Sequence, residues 1–403
     1  MVKIAILGFG TVGSGVAEVL DTNIDRISRN AATGMEVKYI LDVRDFPGSK
    51  YAGKFVKDFS VIENDPEVRI VVETIGGTGV AYDFTKRALL AGKNVVTSNK
   101  ELVANHGCEL LAIAKERNLN YLFEASVGGG IPIIRPISQC LAANELDEIY
   151  GILNGTSNYV LSQMINNGLS FDTALKQAQE KGYAEADPTA DVGGHDACRK
   201  ICILASLSFG RHIYPNQVPT EGIEGVTLED VNCASDLGYK IKLLGRAVKD
   251  GDGKVSCYVA PHMIGFDSLL ANVEDVFNGI VVKGNAIGDV MFYGAGAGKL
   301  PTASAVVADI IDCSKHFHAR KYIEWNEGGV EFVKDPELLE TEWYVRAPVT
   351  RQETRAVFGS DVRIAGLAEN TGYIAFITDS MSHREVLPKL EKLGAQSAFR
   401  VLN

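Results

Sequence analysis

The sequence predicts an α/β protein with three parts: a Rossmann-type doubly wound parallel sheet, a mixed-sheet α+β domain, and a small βαββαβ module. The apolar segment Val2 to Leu7 runs directly into Gly8-Phe-Gly-Thr-Val-Gly13, and strand-like and amphipathic segments alternate up to about residue 123. From about residue 144 strand-like segments outnumber helical ones, which favours a mixed or antiparallel sheet. Behind an acidic segment at 327 to 340, short patterns follow the order βαββαβ.

The composition is typical of a globular protein with a small ligand. A chain of 403 residues, 46% hydrophobic and 23% charged, is long enough for two or three domains. A net charge of -11 argues against nucleic acid or an anionic membrane as the main partner, because either requires a basic surface. The seven cysteines form no CxxC pair, and the sequence shows neither a membrane-spanning segment nor a signal peptide. We therefore expect reduced thiols and a cytoplasmic location.

The first strand and its glycine turn predict a dinucleotide site. Gly8 permits the tight turn, Gly10 lets the backbone approach a pyrophosphate, and Gly13 lets the helix pack on the strand. Thr11 and Val12 lie at the start of that helix, where backbone N–H groups point at the phosphates. A GxGxxG motif is weak evidence alone, but here it stands between a strand and a helix.

The second strand, Val37 to Val43, should end at the adenosine ribose. Asp42 there would accept a hydrogen bond from the 2′-hydroxyl of NAD, whereas Arg44 would pair with the 2′-phosphate of NADP. Both readings are open at this stage. Asp42 also comes later in the sequence than is usual, because of the polar insertion Thr22 to Gly34.

Further strands at 69 to 73, 93 to 97 and 120 to 123, with helices at 80 to 91 and 101 to 117, complete the first sheet. Ligands of such sheets bind at the carboxyl ends of the strands, where Ser98 and Lys100 lie. We therefore predict that they contact cofactor or substrate.

The stretch Glu124 to Pro132 then interrupts the pattern with three glycines. With Glu124 its carbonyl groups would suit a hard cation, or the stretch is a bend between domains.

The stretch Gly182 to Lys200 is the predicted reaction centre, because it packs four carboxylates, a histidine and two cations into nineteen residues. Pro188 and Gly193-Gly194 disfavour a continuous helix, so a helix should begin near His195. Asp196 and Lys200 then share one face, so that the carboxylate can orient the ammonium. The apolar residues Ala197, Ile201 and Leu204 should be buried on the other face. The alternative is a surface ion pair near a helix start.

The remaining patterns set the predicted domain boundaries. Asn154-Gly-Thr-Ser-Asn-Tyr159 reads as a strand-to-helix turn capped by Thr156 or Ser157, with Asn154 and Gly155 open to a ligand. Gly294 to Thr302 is a second stretch where the backbone could closely approach a ligand, and a predicted helix at 303 to 313 follows it. The last predicted elements lie at 343–349, 354–358, 362–367, 373–378, 383–393 and 397–402. The domains would be 1–130 (completed by a helix near 296–315), 131–320, a linker 321–340, and 341–403.

Taken together, the motifs resemble the homoserine dehydrogenase family over roughly residues 1 to 320, with a shortened ACT-like module behind. The matching motifs, in order, are Gly8-Phe-Gly-Thr-Val-Gly-Ser-Gly15, Thr97-Ser-Asn-Lys100, Glu124-Ala-Ser-Val-Gly-Gly-Gly-Ile-Pro132, Asn154 to Tyr159, Gly182 to Lys200, and Gly294 to Thr302. The family reduces L-aspartate 4-semialdehyde to L-homoserine with NAD(P)H, on the route to threonine and methionine. The resemblance implies a homodimer or homotetramer whose second domain carries catalysis and dimerisation.

Matched by position, the resemblance also implies roles for individual residues. Lys200 would be the proton donor, Glu185 and Asp196 would bind the substrate amine, and Lys100 would be shared by cofactor and substrate. The substrate pocket would be lined by Asp191, Tyr183, Gly155 and Thr156. Cofactor contacts would come from Gly8, Gly10, Thr11, Val12, Gly13, Thr74, Ser98, and Gly296 or Gly298. A monovalent cation, Na⁺, would be held by Glu124 and by backbone oxygens of Val127, Gly129 and Ile131.

One departure from the family concerns regulation. ACT modules that bind an amino acid have a Pro-Gly turn into their first helix, whereas Ala347-Pro-Val-Thr-Arg-Gln-Glu353 lacks it. We therefore expect threonine to inhibit weakly or not at all. Two other functions remain open at this stage: a related NAD(P)-dependent amino-acid dehydrogenase, and a dinucleotide-sensing regulator without turnover, against which the complete set of Lys200, Glu185 and Asp196 argues.

Overall fold

The computed structural model describes residues 1–319, 323–359, 362–366 and 372–402. Leu367, the predicted end of one strand, and residues 321 and 322 of the predicted linker lie outside the described residues. The chain divides into two compact units, Met1–Glu145 with Cys202–Pro215 and Gly294–Gly329, and Leu146–Ile201 with Asn216–Tyr293 and Val330–Asn403. The boundaries predicted after residues 130, 320 and 340 do not coincide with these divisions. The reason is that the chain passes between the units more than once.

In the described part of the first unit, six parallel strands form one sheet in the order β3-β2-β1-β4-β5-β6. The strands are β1 (Val2–Leu7), β2 (Met35–Leu41), β3 (Phe55–Val56), β4 (Val68–Glu73), β5 (Asn94–Thr97) and β6 (Tyr121–Leu122). The predicted doubly wound sheet is confirmed. Because the strand order reverses between β1 and β4, the crevice at their carboxyl ends is where such sheets bind ligands.

The helices of the first unit include two that the sequence did not predict. They are α1 (Thr11–Thr22), α2 (Ile24–Ala31), α3 (Ser60–Glu63), α4 (Gly79–Leu90), α5 (Lys100–Glu116) and α11 (Lys299–Lys315). The polar insertion before β2 forms helix α2, and these extra residues explain why Asp42 comes later in the sequence than is usual. Helix α11 packs on α1 so closely that a Cβ on Gly15 would lie 2.9 Å from the carbonyl oxygen of Lys299. It begins four residues earlier than predicted.

The second unit contains a mixed sheet, which among the described residues has nine strands in the order β11-β10-β7-β8-β9-β15-β12-β14-β13. These are β7 (Leu146–Ile152), β8 (Tyr239–Lys249), β9 (Val255–Gly265), β10 (Phe277–Gly284), β11 (Gly288–Ala295), β12 (Trp343–Ala347), β13 (Arg363–Ile364), β14 (Ile374–Ile377) and β15 (Ser397–Leu402). Strand β11 was not predicted from the sequence. It is an edge strand without a buried residue, and its apolar run is only four residues long, from Val290 to Tyr293.

The other helices lie between strands of this sheet in the sequence. They are α6 (Gly155–Asn167), α7 (Phe171–Glu180), α8 (Thr189–Val192), α9 (His195–Phe209), α10 (Leu228–Asp236), α12 (Arg351–Phe358) and α13 (His383–Leu393). The predicted helix start at His195 is confirmed, and Ala197, Ile201 and Leu204 are buried as expected. Within the ranges described, no helix is both long and apolar enough to cross a membrane.

The C-terminal elements follow the predicted order β12-α12-β13-β14-α13-β15. Helix α12 begins at Arg351 instead of Thr354, because Thr350 and Glu353 form a capping box that adds a turn. Strand β15 pairs in parallel with β9, so the last sixty or so residues continue the sheet of the second unit.

A buried ion pair also joins this C-terminal segment to α10. Asp230 accepts hydrogen bonds from Nε of Arg346 at 2.7 Å, from the Tyr344 hydroxyl at 3.0 Å and from the Ser397 hydroxyl at 2.8 Å.

Candidate active site

The predicted reaction centre is a buried ion pair on the first turns of α9. Nζ of Lys200 lies 2.9 Å from Oδ2 of Asp196, and the two residues are only 7% and 4% exposed. The surface alternative is therefore wrong. A buried charge pair is costly unless hydrogen bonds complete it, and Nζ also donates to the carbonyl oxygen of Leu153 at 2.6 Å. The ammonium thus has a fixed orientation.

Asn154 connects the acids of this centre. Its Nδ2 donates to Oδ1 of Asp191 at 2.7 Å and to Oδ2 of Asp196 at 2.9 Å. Its Oδ1 accepts the N–H of Ser157, so Asn154 is the N-cap of α6. The cap predicted at Thr156 or Ser157 is therefore wrong by two or three positions. The strong N-cap preference of asparagine was the signal that could have identified it.

The loop before α8 approaches the start of α6. The Thr156 hydroxyl donates to the carbonyl oxygen of Tyr183 at 2.7 Å, which tethers the loop. Gly155 is required where it stands, because a Cβ there would lie 2.7 Å from the carbonyl oxygen of Val276. The side chains of Tyr183 and Glu185 are exposed. The structure therefore brings Asp191 and Asp196 together through Asn154, while Glu185 lies on the exposed part of the loop.

In the first unit, the glycine turn after β1 has the form that a pyrophosphate requires. Gly8 has a φ of 89°, and a Cβ on Gly13 would lie 1.9 Å from the carbonyl oxygen of Gly8. The Thr74 hydroxyl bonds the carbonyl oxygens of Leu7 and Gly8 at 2.9 and 3.0 Å. Gly10 is the N-cap of α1. Thr11 and Val12 start the helix, so their backbone N–H groups are available to an anion.

At the end of β2 the two candidate residues pair with each other. Oδ1 of Asp42 accepts the backbone N–H and Nε of Arg44 at 2.9 and 3.1 Å. Oδ2 accepts the N–H of Phe9 at 2.7 Å and Nη2 of Arg44 at 3.0 Å. The Arg44 guanidinium accordingly holds the pKa of Asp42 well below its usual range. Since a carboxylate has about four acceptor positions, this carboxylate is saturated.

Glu73, an acid that was not predicted as a site residue, organises the ends of β4 and β5. Glu73 is fully buried and accepts the N–H of Ile75 at 2.7 Å and the Thr97 hydroxyl at 2.6 Å. Burial raises its pKa. The Asn99 side chain caps α5, whose first residue is Lys100. The Glu73 network therefore fixes the turn that carries Ser98 and Lys100.

The loop at 124–131 combines an occupied carboxylate with open carbonyl groups. Glu124 accepts the N–H groups of Ile133, Ile134 and Arg135 at 2.6, 2.7 and 2.9 Å. In contrast, no donor in the described part of the chain reaches the buried carbonyl groups of Val127, Gly129 and Ile131. In the same described ranges no group of three or more His, Cys, Asp or Glu side chains could hold a metal.

The glycines at 296 and 298 lie beside this loop and at the start of α11. A Cβ on Gly129 would lie 2.3 Å from the carbonyl oxygen of Gly296, so only glycine fits there. Gly298, with a φ of 124°, is the N-cap of α11. Gly129 is thus required by its close packing against this turn, and Gly298 by its own backbone conformation.

Asp309 on α11 holds the loop from its other end. One carboxylate oxygen accepts the N–H of Glu124 at 2.8 Å, and the other pairs with Arg135. Burial, with a contribution from the Glu124 charge, raises the pKa of Asp309 to about 8. No local pattern predicts this contact, because the two segments lie far apart in the chain.

A Rossmann sheet with a pyrophosphate turn, together with a buried lysine-carboxylate pair, defines an NAD(P)-dependent oxidoreductase. Comparison with known proteins identifies which one. Residues 8–124 match the family model "Homoserine dehydrogenase, NAD binding domain", and residues 132–311 match the model "Homoserine dehydrogenase". The chain belongs to the homoserine dehydrogenase family, and the resemblance read from its motifs is confirmed.

Individual relatives agree with the family models. The homoserine dehydrogenase of Pseudomonas aeruginosa is 46% identical over 312 residues, covering 77% of this chain and 72% of that protein. A homoserine dehydrogenase structure from Thiobacillus denitrificans has a TM-score of 0.90 and 35% identity, covering 100% of this chain and 98% of that one. A hyperthermophilic archaeal homoserine dehydrogenase in complex with NADPH has a TM-score of 0.66 and 29% identity, covering 78% and 97%.

Proposed function

We propose that in this homoserine dehydrogenase Lys200 protonates the alkoxide left by hydride transfer, which gives the alcohol product, and that the acids around Lys200 hold the substrate. The observation that carries the proposal is the buried pair of Lys200 and Asp196, 2.9 Å apart. NAD(P)H supplies the hydride when bound, and an aldehyde carbon that receives hydride leaves an alkoxide. An ammonium at that oxygen both stabilises the charge and donates the proton. Asp196 and Leu153 orient the ammonium for this step.

The substrate amine requires carboxylates, since charge-assisted hydrogen bonds hold an ammonium group most strongly. Asp191 and Asp196, joined by Asn154, form one side of this proposed site, and the exposed Glu185 would contribute from its loop. Tyr183, Gly155 and Thr156 would line the site. In the first unit, Lys100 would contact both cofactor and substrate. Consumption of NADPH on addition of L-aspartate 4-semialdehyde, but not of unrelated amino-acid aldehydes, is the direct test.

We propose NADP as the preferred cofactor, with NAD as a poorer alternative. Asp42 is saturated by Arg44 and Phe9, so it lacks a free acceptor for the 2′-hydroxyl of NAD. The exposed Arg44 guanidinium remains accessible to a 2′-phosphate, and Lys57, which pairs with Asp45, bonds the carbonyl oxygens of Val43 and Arg44 and so holds the loop that carries Arg44. The turn from Gly8 to Gly13 fits the pyrophosphate, and Thr74, Ser98, Gly296 and Gly298 would complete the cofactor contacts.

Replacing Arg44 by alanine should raise KM for NADPH roughly tenfold to a hundredfold, because a hydrogen bond between two charged groups is lost. KM for NADH should not rise, since the released Asp42 can then accept from the ribose. Steady-state kinetics with both cofactors measures the effect, with Arg26→Ala on exposed α2 as the control. An equal rise for both cofactors would mean that Arg44 does not read the 2′-phosphate.

We also propose a monovalent cation, Na⁺, at the loop of Val127, Gly129 and Ile131. Three buried carbonyl oxygens without donors in the described chain fit a cation of this kind. The Glu124 carboxylate has one acceptor position beyond its three N–H partners, so it can contribute at most a single contact.

We propose that residues 341–403 are a shortened ACT-like module that serves assembly, in a cytoplasmic homodimer or homotetramer. The sheet order β15-β12-β14-β13 supports the ACT-like reading. The free state of all seven cysteines supports a reducing compartment.

Threonine should bind weakly or not at all. Two of the N–H groups at the start of α12, which an amino-acid ligand would need, are already used. Thr350 and Glu353 bond each other's backbone N–H groups at 2.8 and 3.3 Å. Calorimetry with millimolar threonine, and serine as the reference for nonspecific heat, should show no saturable signal. A saturable signal that disappears when the chain is truncated after about Glu340 would restore a regulatory role for the module.

A further inference from the structure

Asn278 on β10 is a buried polar residue that the proposed mechanism does not yet use. It is 1% exposed, and its neighbours along the strand include the buried Ile280 and Val282. Its Nδ2 donates to the carbonyl oxygen of Leu153 at 3.0 Å. Its Oδ1 is buried and has no hydrogen-bond partner in the described part of the chain. A strand position of this kind is more stable with an apolar side chain, so the amide needs an explanation.

The oxygen that Asn278 contacts is the one that holds the catalytic lysine. Leu153 accepts from Nζ of Lys200 at 2.6 Å and from Nδ2 of Asn278 at 3.0 Å. A carbonyl oxygen has two lone pairs, so these two donors occupy both. The two nitrogens therefore lie within about 6 Å of each other. The amide cannot be turned around, because its Oδ1 would then face the Leu153 oxygen.

The sheet register brings Asn278 to this oxygen. Gly279 of β10 pairs with Ile152 of β7 in an antiparallel ladder, so the preceding residue of β10 lies beside the following residue, Leu153. A Cβ on Gly151 would lie 2.3 Å from the carbonyl oxygen of Gly279, so the two strands approach closely here. The close approach of β10 to the end of β7 thus places the Asn278 side chain beside Leu153.

We propose that Asn278 is a positioning residue for Lys200 in the homoserine dehydrogenase reaction. Leu153 follows the end of β7, where the ladder no longer fixes its carbonyl group. The amide of Asn278 holds that group, and the ammonium between Leu153 and Asp196 then has a single orientation toward the developing alkoxide. This inference rests on the proposed role of Lys200.

The first test removes the donor. Asn278→Leu, of similar shape, should lower kcat between about tenfold and a hundredfold, while KM for the semialdehyde changes less than about twofold. In a Lys200→Ala background the same substitution should cause no further loss, because Asn278 acts through the lysine. An additive loss in the double variant would mean that Asn278 acts independently, and would overturn the proposal.

The second test adds a charge. Asn278→Asp places a carboxyl group within about 6 Å of the ammonium; it can donate to the Leu153 oxygen only while protonated, and once ionised at alkaline pH it favours the charged form of the lysine. The alkaline limb of the kcat profile for semialdehyde reduction should therefore move to higher pH. Asn158→Asp is the matched control: Asn158 is an equally buried asparagine that contacts a different lysine, Lys242, at 3.1 Å. It should alter the melting temperature and leave the alkaline limb in place.

The outcomes separate the two proposals. If Lys200→Ala retains wild-type turnover, the role of Lys200 fails, and the positioning role fails with it. If Lys200→Ala is inactive but both folded Asn278 variants keep the wild-type kcat and pH profile, only the positioning role fails. Nucleotide binding and thermal melting establish that each variant is folded. Should Asn278→Leu not fold, the nearly isosteric Asn278→Asp still decides the question through its pH profile.

Discussion

Lys200→Ala is expected to lower kcat by about a hundredfold or more while leaving NADPH affinity nearly unchanged. The ammonium acts on an alkoxide that exists only late in the reaction, so its loss removes stabilisation of the transition state and not of the bound cofactor. The substitution also leaves Asp196 buried beside Asn154 without its cation, so some loss of stability should accompany the loss of turnover. Steady-state kinetics and direct NADPH titration measure the two effects separately.

The control for Lys200→Ala is a second buried lysine of the same unit. Lys242 is fully buried and bonds the carbonyl oxygen of Val273 at 2.7 Å and Oδ1 of Asn158 at 3.1 Å. Burial lowers the pKa of Lys242 to about 8. Lys242→Ala should therefore reduce stability without a comparable loss of kcat in the folded protein. A wild-type-like kcat in Lys200→Ala would remove that residue from the mechanism.

Arg346→Met is expected to lower the free energy of unfolding of the second unit by about 3 to 5 kcal/mol. The substitution leaves the fully buried Asp230 carboxylate without its cation, and the Tyr344 and Ser397 hydroxyls cannot neutralise it. Burial and the Asp230 charge raise the pKa of Tyr344, which remains a neutral donor. Urea unfolding followed by the fluorescence of Trp343, which lies in β12, reports on this part of the sheet.

Two further variants show whether the buried charge is the cause. Asp230→Asn combined with Arg346→Met should recover much of the loss, because no unpaired charge then remains. Arg363→Met breaks an ion pair with Glu342 that is largely exposed, so it should cost less than about 1 kcal/mol. A similar loss in Arg363→Met, or no recovery in the double variant, would contradict this account. The outcome decides whether residues 341–403 depend on α10 for their stability.

Several features of the site could be predicted from sequence because they depend on neighbouring residues. The glycines at 8, 10 and 13 require a particular turn, and the structure has it. Pro188 and Gly193-Gly194 restrict α9 to begin at His195, and the helical repeat then brings Asp196 and Lys200 together. The βαββαβ order of the C-terminal segment also follows from local patterns. In each case residues that are close in the sequence limit the backbone to one conformation.

Only the tertiary structure decided how these groups are used. The burial of Lys200 and Asp196 depends on strands that are remote in sequence, and Asn278 reaches Leu153 across 125 residues. The saturation of Asp42 required the N–H of Phe9, 33 residues away, to be in place. Whether a side chain is buried, and which donors form hydrogen bonds with it, depends on how distant segments pack. The sequence by itself therefore determined which chemical groups the site contains, and the packing of the sheets determined which of them are paired, buried and held in position.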